Sequence, residues 1–207
     1  MLKLYTMPGA CSLASHIALI WADASYELEV LDRGQTKSEA YLKLNPKGVV
    51  PTLVLDDGRV ITESLAVLLY IAERFPQGRL GGAGDIYERA MLNEVMAELV
   101  SEFHKAFAPV YNPGRFVTRD ALHDDAKQAA FKRIDEQYRR FNKRMAGRDW
   151  ILDHRTVADP YLYVLASWAG KTPKKIDKYP GLSKFKARLD ADEGVKRALA
   201  EQKKTSS

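Results

Sequence analysis

Apolar and polar positions divide the chain into two stretches with different periods. In the first, Tyr26-Glu27-Leu28-Glu29-Val30-Leu31 alternates, the period of a half-buried strand. The run from Leu2 to Ile17 reads as strand, a turn at Pro8-Gly9, then helix. Val50-Pro51-Thr52-Leu53-Val54-Leu55 and Arg59-Val60-Ile61 flank Asp56-Asp57-Gly58, a hairpin whose Asp-Gly pair supplies the turn. Leu65, Leu68, Leu69, Ala72 and Phe75 then recur at helical spacing and predict a helix over 63–75. Residues 1–76 therefore read β-α-β-α-β-β-α.

Gly78, Gly81, Gly82 and Gly84 follow Pro76 and mark a linker, after which every periodic stretch is helical. Leu92, Val95, Met96, Leu99, Val100, Phe103 and Phe107 form one apolar stripe, predicting a helix over 85–110 that Asn112-Pro113-Gly114 stops. A second long helix is predicted over 120–146, with Gly147 as its C-terminal stop. Thr156-Val157-Ala158-Asp159 resembles a capping box, with Asp where Glu or Gln is usual, and opens an apolar helix through Trp168. Pro160 would be its fourth residue and would remove only the first intrahelical bond. The expectation is an α/β domain over 1–78 and an all-helical domain over 85–207, with a polar tail after Glu201.

Composition narrows the class. The 207 residues are 46% hydrophobic and 29% charged, the balance of an ordinary globular protein. No apolar run approaches the roughly 20 residues of a membrane helix, and Met1-Leu2-Lys3-Leu4 is too short an apolar start for a signal peptide. One cysteine excludes an internal disulfide framework and fits a reducing, cytoplasmic setting. The net charge of +5 suits anionic ligands. Acids interleaved with bases, as in Lys132-Arg133-Ile134-Asp135-Glu136, argue against a nucleic-acid-binding face.

Four places could carry chemistry. Cys11 stands where strand becomes helix: it is either a small buried hydrophobe or a thiol whose pKa the helix end lowers, with the Ser12 hydroxyl one residue away. Ala14, not a second cysteine, lies three residues on, so the sulfur suits a mixed disulfide with a small thiol, or donation to an incoming thiolate. Val50-Pro51 is either a proline at a strand's first position or a cis peptide that presents the Val50 backbone to a peptide-like ligand. Thr62-Glu63-Ser64 precedes a helix; it is either an N-cap or a receptor in which Ser64 and free N–H groups hold a carboxylate while Glu63 pairs with an ammonium. On an ideal helix Ser101 and His104 fall within about 60° of each other, away from the apolar stripe, so His104 faces either solvent or a cleft against the first domain. Four histidines without Cys/His spacing argue against a metal site, and no phosphate loop, dinucleotide fingerprint or hydrolase elbow occurs.

In their order and spacing these segments resemble a bacterial beta-class glutathione S-transferase over nearly the whole chain. The matching stretches are Pro8-Gly9-Ala10-Cys11-Ser12-Leu13-Ala14-Ser15-His16, Asn45-Pro46-Lys47-Gly48-Val49-Val50-Pro51, Asp56-Asp57-Gly58 and Thr62-Glu63-Ser64. Glu102-Phe103-His104-Lys105 and Thr156-Val157-Ala158-Asp159-Pro160-Tyr161-Leu162 extend the match through the helical half. The resemblance implies a thioredoxin-like N-terminal domain, an all-α C-terminal domain and a homodimer that binds glutathione as co-substrate, without a metal. It implies that Val50, before a cis Pro51, pairs with the cysteinyl backbone, and that Glu63 and Ser64 hold the γ-glutamyl end. Cys11 would meet the glutathione sulfur, while His104 and Lys105 approach from the helical domain. Ser101 would join the binding residues, Lys37 would approach the glycyl carboxylate, and Trp168 would line the electrophile pocket.

Two departures matter. Thr6 replaces a frequent tyrosine, which moves thiol activation towards Cys11 and Ser12, and Tyr5 should point to the other sheet face. Ala97 stands where a polar residue can face glutathione. The leading expectation is conjugation of glutathione to small hydrophobic electrophiles. Thiol–disulfide exchange or reductive dehalogenation through Cys11 is the alternative, and non-catalytic carriage of apolar ligands the third.

Overall fold

The computed structural model describes residues 1–82 and 84–204, the side chain of 204 excepted. Ala83 of the expected linker and residues 205–207 of the expected polar tail lie outside the described residues. The first half is built on a mixed four-stranded sheet of order β2-β1-β3-β4. Strand β1 (Leu2–Thr6) lies parallel to β2 (Tyr26–Val30) and antiparallel to β3 (Thr52–Val54), which pairs antiparallel with β4 (Val60–Thr62). Helix α1 (Leu13–Trp21) makes the crossover between the parallel strands, as parallel pairing requires. It packs with α3 (Ser64–Arg74).

Alternation along β1 sorts its side chains: Leu2, Leu4 and Thr6 are buried, while Tyr5 faces the other side. There Tyr5 meets Tyr41 of α2 (Glu39–Leu44) at a ring separation of 5.5 Å, within a smaller cluster containing Leu31 and Val50. The two helical layers and the sheet between them are the thioredoxin-like arrangement.

The second half is helical: α4 (Ile86–Glu98), α5 (Ala108–Tyr111), α6 (His123–Arg144), α7 (Ala158–Ser167), α8 (Pro180–Asp190) and α9 (Glu193–Lys204). The helix expected over 85–110 is interrupted: residues Leu99–His104 form a π turn, and Phe107 turns before α5. Pro109, which has no N–H to donate, sits in the short α5. Helix α7 is buried from Ala158 to Ala166 and packs on α1, joining the halves through one continuous core. Asp159 anchors its start, accepting from the N–H groups of Thr156 (2.7 Å) and Ile151 (2.9 Å), so the capping box also ties down the preceding loop.

Helix α9 returns to the first half through a buried polar chain. His16 Nε2 lies 2.9 Å from both Glu201 and the Tyr26 hydroxyl, and Gln202 donates to Thr6 Oγ1 at 3.0 Å. Thr6 in turn donates to Ser12 Oγ at 2.8 Å, which also accepts the Met7 N–H at 3.2 Å. This chain holds both ends of the turn that carries Cys11.

Candidate functional site

The Cys11 side chain closes the floor between β3, α3 and the helical half. Its thiol donates towards the Val50 carbonyl at 3.7 Å and accepts from the Ser64 hydroxyl at 3.4 Å. The Val50–Pro51 peptide is cis. No backbone group bonds to the Val50 N–H among the described residues, which leaves it available to an extended peptide. Burial pushes the Cys11 thiol up, against the Ser64 hydroxyl and the N–H groups of Cys11 and Ser12, which pull it down. The expected lowering at a helix end is thus reversed, because sulfur shielded from water loses more solvation than those donors replace. The thiol is protonated at neutral pH.

Ser12 corrects a second expectation. Its hydroxyl is wholly buried and is committed to Thr6 and the Met7 N–H, so it braces the turn rather than standing beside the sulfur. Ser64 supplies the hydroxyl there instead. Ser64 opens α3, and the residue before it, Glu63, holds φ 73°, a left-handed conformation that costs a non-glycine residue on the order of 1–3 kcal/mol. The Glu63 carboxylate projects to solvent and takes the Lys47 ammonium at 2.6 Å.

His104 enters from the π turn. Its Nδ1 lies 2.5 Å from the hydroxyl of the buried Tyr161, and its ring stands edge-on to Trp168 at 5.0 Å. Burial pushes His104 down to about 4, Lys105 adding to the shift and Glu63 opposing it. The imidazole is therefore neutral at pH 7, with Nδ1 engaged and no hydrogen-bond partner at Nε2 among the described residues. Burial pushes Tyr161 up, and its ring lines the same cleft as Cys11 and Ser64.

Two clefts meet at Cys11, His104 and Tyr111. One, of about 520 Å³, contains Val50, Pro51, Glu63 and Ser64 with the cations Lys47, Lys105 and Arg115. The other, of about 720 Å³, runs under Met7–Ala10 to Trp168, with Arg33 and Lys171 at its edge. The indole of Trp168 donates to the Gly9 carbonyl at 3.1 Å, closing the helical half onto the turn.

The structure thus brings together Cys11, Val50, Pro51, Glu63, Ser64, His104, Lys105 and Trp168. It does not bring in Ser101 or Lys37. Ser101 is exposed and lines neither cleft, because each residue of a π turn advances by a smaller angle than in an α-helix and three steps no longer align it with His104. Lys37 donates to the Gly48 carbonyl at 2.9 Å and fastens its own loop. Sequence reasoning passed over Tyr161 as a site residue, although it lies seven residues before Trp168, two helical turns, in the helix the capping box opens. No group of three or more His, Cys, Asp or Glu that could hold a metal ion occurs among the described residues.

Comparison with known proteins places this geometry. Residues 9–74 match the glutathione S-transferase N-terminal domain, and residues 100–193 match the glutathione S-transferase C-terminal domain. The chain is 39% identical over 199 residues to glutathione S-transferase GST-4.5 of Xanthomonas campestris pv. campestris, covering 96% of this chain and 97% of that protein. Among solved structures, a sphingomonad glutathione S-transferase complexed with glutathione superposes with TM-score 0.86 at 37% identity, over 97% of this chain and 98% of that one. A bacterial beta-class enzyme of Sphingomonas chungbukensis has the same TM-score, 0.86, at 34% identity, again over 97% and 98% of the two chains. With a thioredoxin-like half, a helical half and a thiol floor between them, the chain belongs to the glutathione S-transferase family.

Proposed function

We propose that this protein binds glutathione in the smaller cleft and conjugates it to small apolar electrophiles held in the larger one. The observation that carries the proposal is the convergence of a peptide receptor on one sulfur-lined point. The Val50 carbonyl meets the Cys11 thiol, which the Ser64 hydroxyl at the start of α3 also reaches, and no backbone group among the described residues takes the Val50 N–H. Each part suits one piece of the tripeptide. Glu63 and Ser64 offer an acid for the α-ammonium and a hydroxyl at a helix start for the α-carboxylate. Lys105 and Arg115 offer charge to the glycyl carboxylate. The sphingomonad relative was solved with glutathione, which supports the same ligand here.

In the reaction the glutathione thiol loses its proton to solvent. Its sulfur then bonds the electrophilic carbon, and a leaving group departs with the bonding pair. The chain's own part is to favour the thiolate. Cys11 keeps its proton and donates it as a hydrogen bond, Ser64 steadies Cys11, and the neutral His104 adds its Nε2 side. Trp168, Tyr111 and Met7 supply apolar surface for the electrophile. We further propose a homodimer, supported by Ile86 and Tyr87 of α4 at 80% and 67% exposure, and a cytoplasmic detoxifying role, supported by the single cysteine. No helix among the described residues is long and apolar enough to cross a membrane.

Titration calorimetry with glutathione, followed by conjugation of chlorodinitrobenzene, tests the reading. Binding that fails in Glu63→Gln and Val50→Pro variants and turnover of the electrophile are expected; absence of binding by the intact protein overturns it.

A further inference from the structure

The larger cleft has a composition that a purely apolar electrophile does not need. Lys171 Nζ lies 4.9 Å from the Tyr111 ring centroid and 5.9 Å from that of Trp168, so its charge sits against the aromatic lining. Arg33 reaches the same cleft from the first half of the chain. Neither cation makes an ion pair with a carboxylate among the described residues, although fifteen pairs of a lysine, an arginine or the N-terminal ammonium with a carboxylate occur elsewhere among them. Asp32 also lines this cleft, and its carboxylate accepts the Gln35 N–H of its own loop at 2.7 Å. Two neighbouring lysines behave differently: Lys174 pairs with Asp135, and Lys175 is spent on the Gly170 and Thr172 carbonyls. Lys171 alone of the three is left facing the cleft. His104 is uncharged and adds no competing cation deeper in.

We propose that the electrophiles this enzyme prefers are aromatic acids, with the ring against Tyr111 and Trp168 and the carboxylate on Lys171 and Arg33. This rests on the transferase reading and adds to the apolar ring it expects an anionic group. A cation beside an aromatic wall binds a benzoate better than its amide, because only the benzoate exchanges water for a charge-assisted bond. The same charge raises the encounter rate, and salt weakens both effects.

A matched pair of electrophiles tests it: para-chloro-meta-nitrobenzoate and the corresponding benzamide. In each, the glutathione sulfur bonds the chlorinated ring carbon, chloride leaves with the bonding pair, and the thiol proton passes to buffer. The expected result is a benzoate-to-benzamide ratio of kcat/KM above that of the uncatalysed reactions. The ratio falls about tenfold in Lys171→Met, through KM for the benzoate, and is restored in Lys171→Arg. High salt lowers it as well. A ratio that Lys171→Met leaves unchanged overturns the proposal while the transferase reading stands. So does a rise in KM for glutathione instead, since the anion held would then be the glycyl carboxylate. No turnover of either compound, with no glutathione binding by calorimetry, overturns the transferase reading itself.

Discussion

Replacing Cys11 by alanine removes one sulfhydryl donor and leaves the Val50 and Ser64 partners in place. The thiol touches the Val50 carbonyl at 3.7 Å and the Ser64 hydroxyl at 3.4 Å, and burial holds it protonated. In that state it stabilises a neighbouring thiolate only by donation. A hydrogen bond to a charged group contributes about 1.5–3 kcal/mol, and a thiol is a weak donor, so the lower end, about 1.5 kcal/mol, applies. That is close to one pKa unit, or roughly a tenfold loss in kcat/KM at a pH below the thiol pKa. Cys11→Ala should therefore retain about a tenth of the activity, with the pH profile of kcat/KM displaced upward by about one unit. Cys11→Ser, whose hydroxyl is the stronger donor, should stay within about threefold of the parent. The assay is conjugation of chlorodinitrobenzene across pH, beside mass spectrometry of the protein after oxidised glutathione. Complete loss of activity in both variants, together with a glutathionyl adduct on the parent, would refute donation and establish covalent chemistry at Cys11.

Three further outcomes follow from the same structure. His104 is neutral in the folded chain down to about 4, below its ordinary 6.5, so the unfolded chain binds more protons between those values and stability falls as pH drops through that window. The loss is up to about 3 kcal/mol, and urea unfolding at acid and neutral pH should show a smaller difference in His104→Gln; an equal difference would remove His104 as the cause. Tyr161→Phe keeps the buried ring but leaves His104 Nδ1 unpartnered, at a cost of about 1–3 kcal/mol; an unchanged urea midpoint would show that the contact contributes nothing. Asp159→Ala strands the buried N–H groups of Thr156 and Ile151, costing about 3 kcal/mol and roughly 6–12 °C in Tm. Calorimetry that finds less than about 2 °C would refute that account of the capping box.

Much of the site was legible because it is local. Pro8-Gly9, Val50-Pro51 and Thr62-Glu63-Ser64 each lie at the end of a strand or the start of a helix, where chain geometry alone presents backbone groups and short side chains. The capping box was legible for the same reason, with both partners within four residues. Other features were hidden by contacts distant in the chain. Ser12 looked free because its partner Thr6 is held from Gln202. Lys37 looked available because its anchor, Gly48, lies eleven residues on. Ser101 and His104 looked aligned because ideal helical spacing does not foresee the π turn.

The sequence by itself determined the order of strands and helices in the first half and the thiol at the strand-to-helix turn, since periodicity and turn chemistry act over a few residues. Only the tertiary structure decided what that thiol is. Packing of α7 against α1 joins the halves, and in the fold Cys11 is half-buried, with Ser64 and Val50 at its sulfur and the linked pair Tyr161 and His104 in the same cleft wall. Water excluded by that packing outweighs the local pull of the helix end, so Cys11 stands as a protonated donor, a state set by burial rather than by neighbours in the chain.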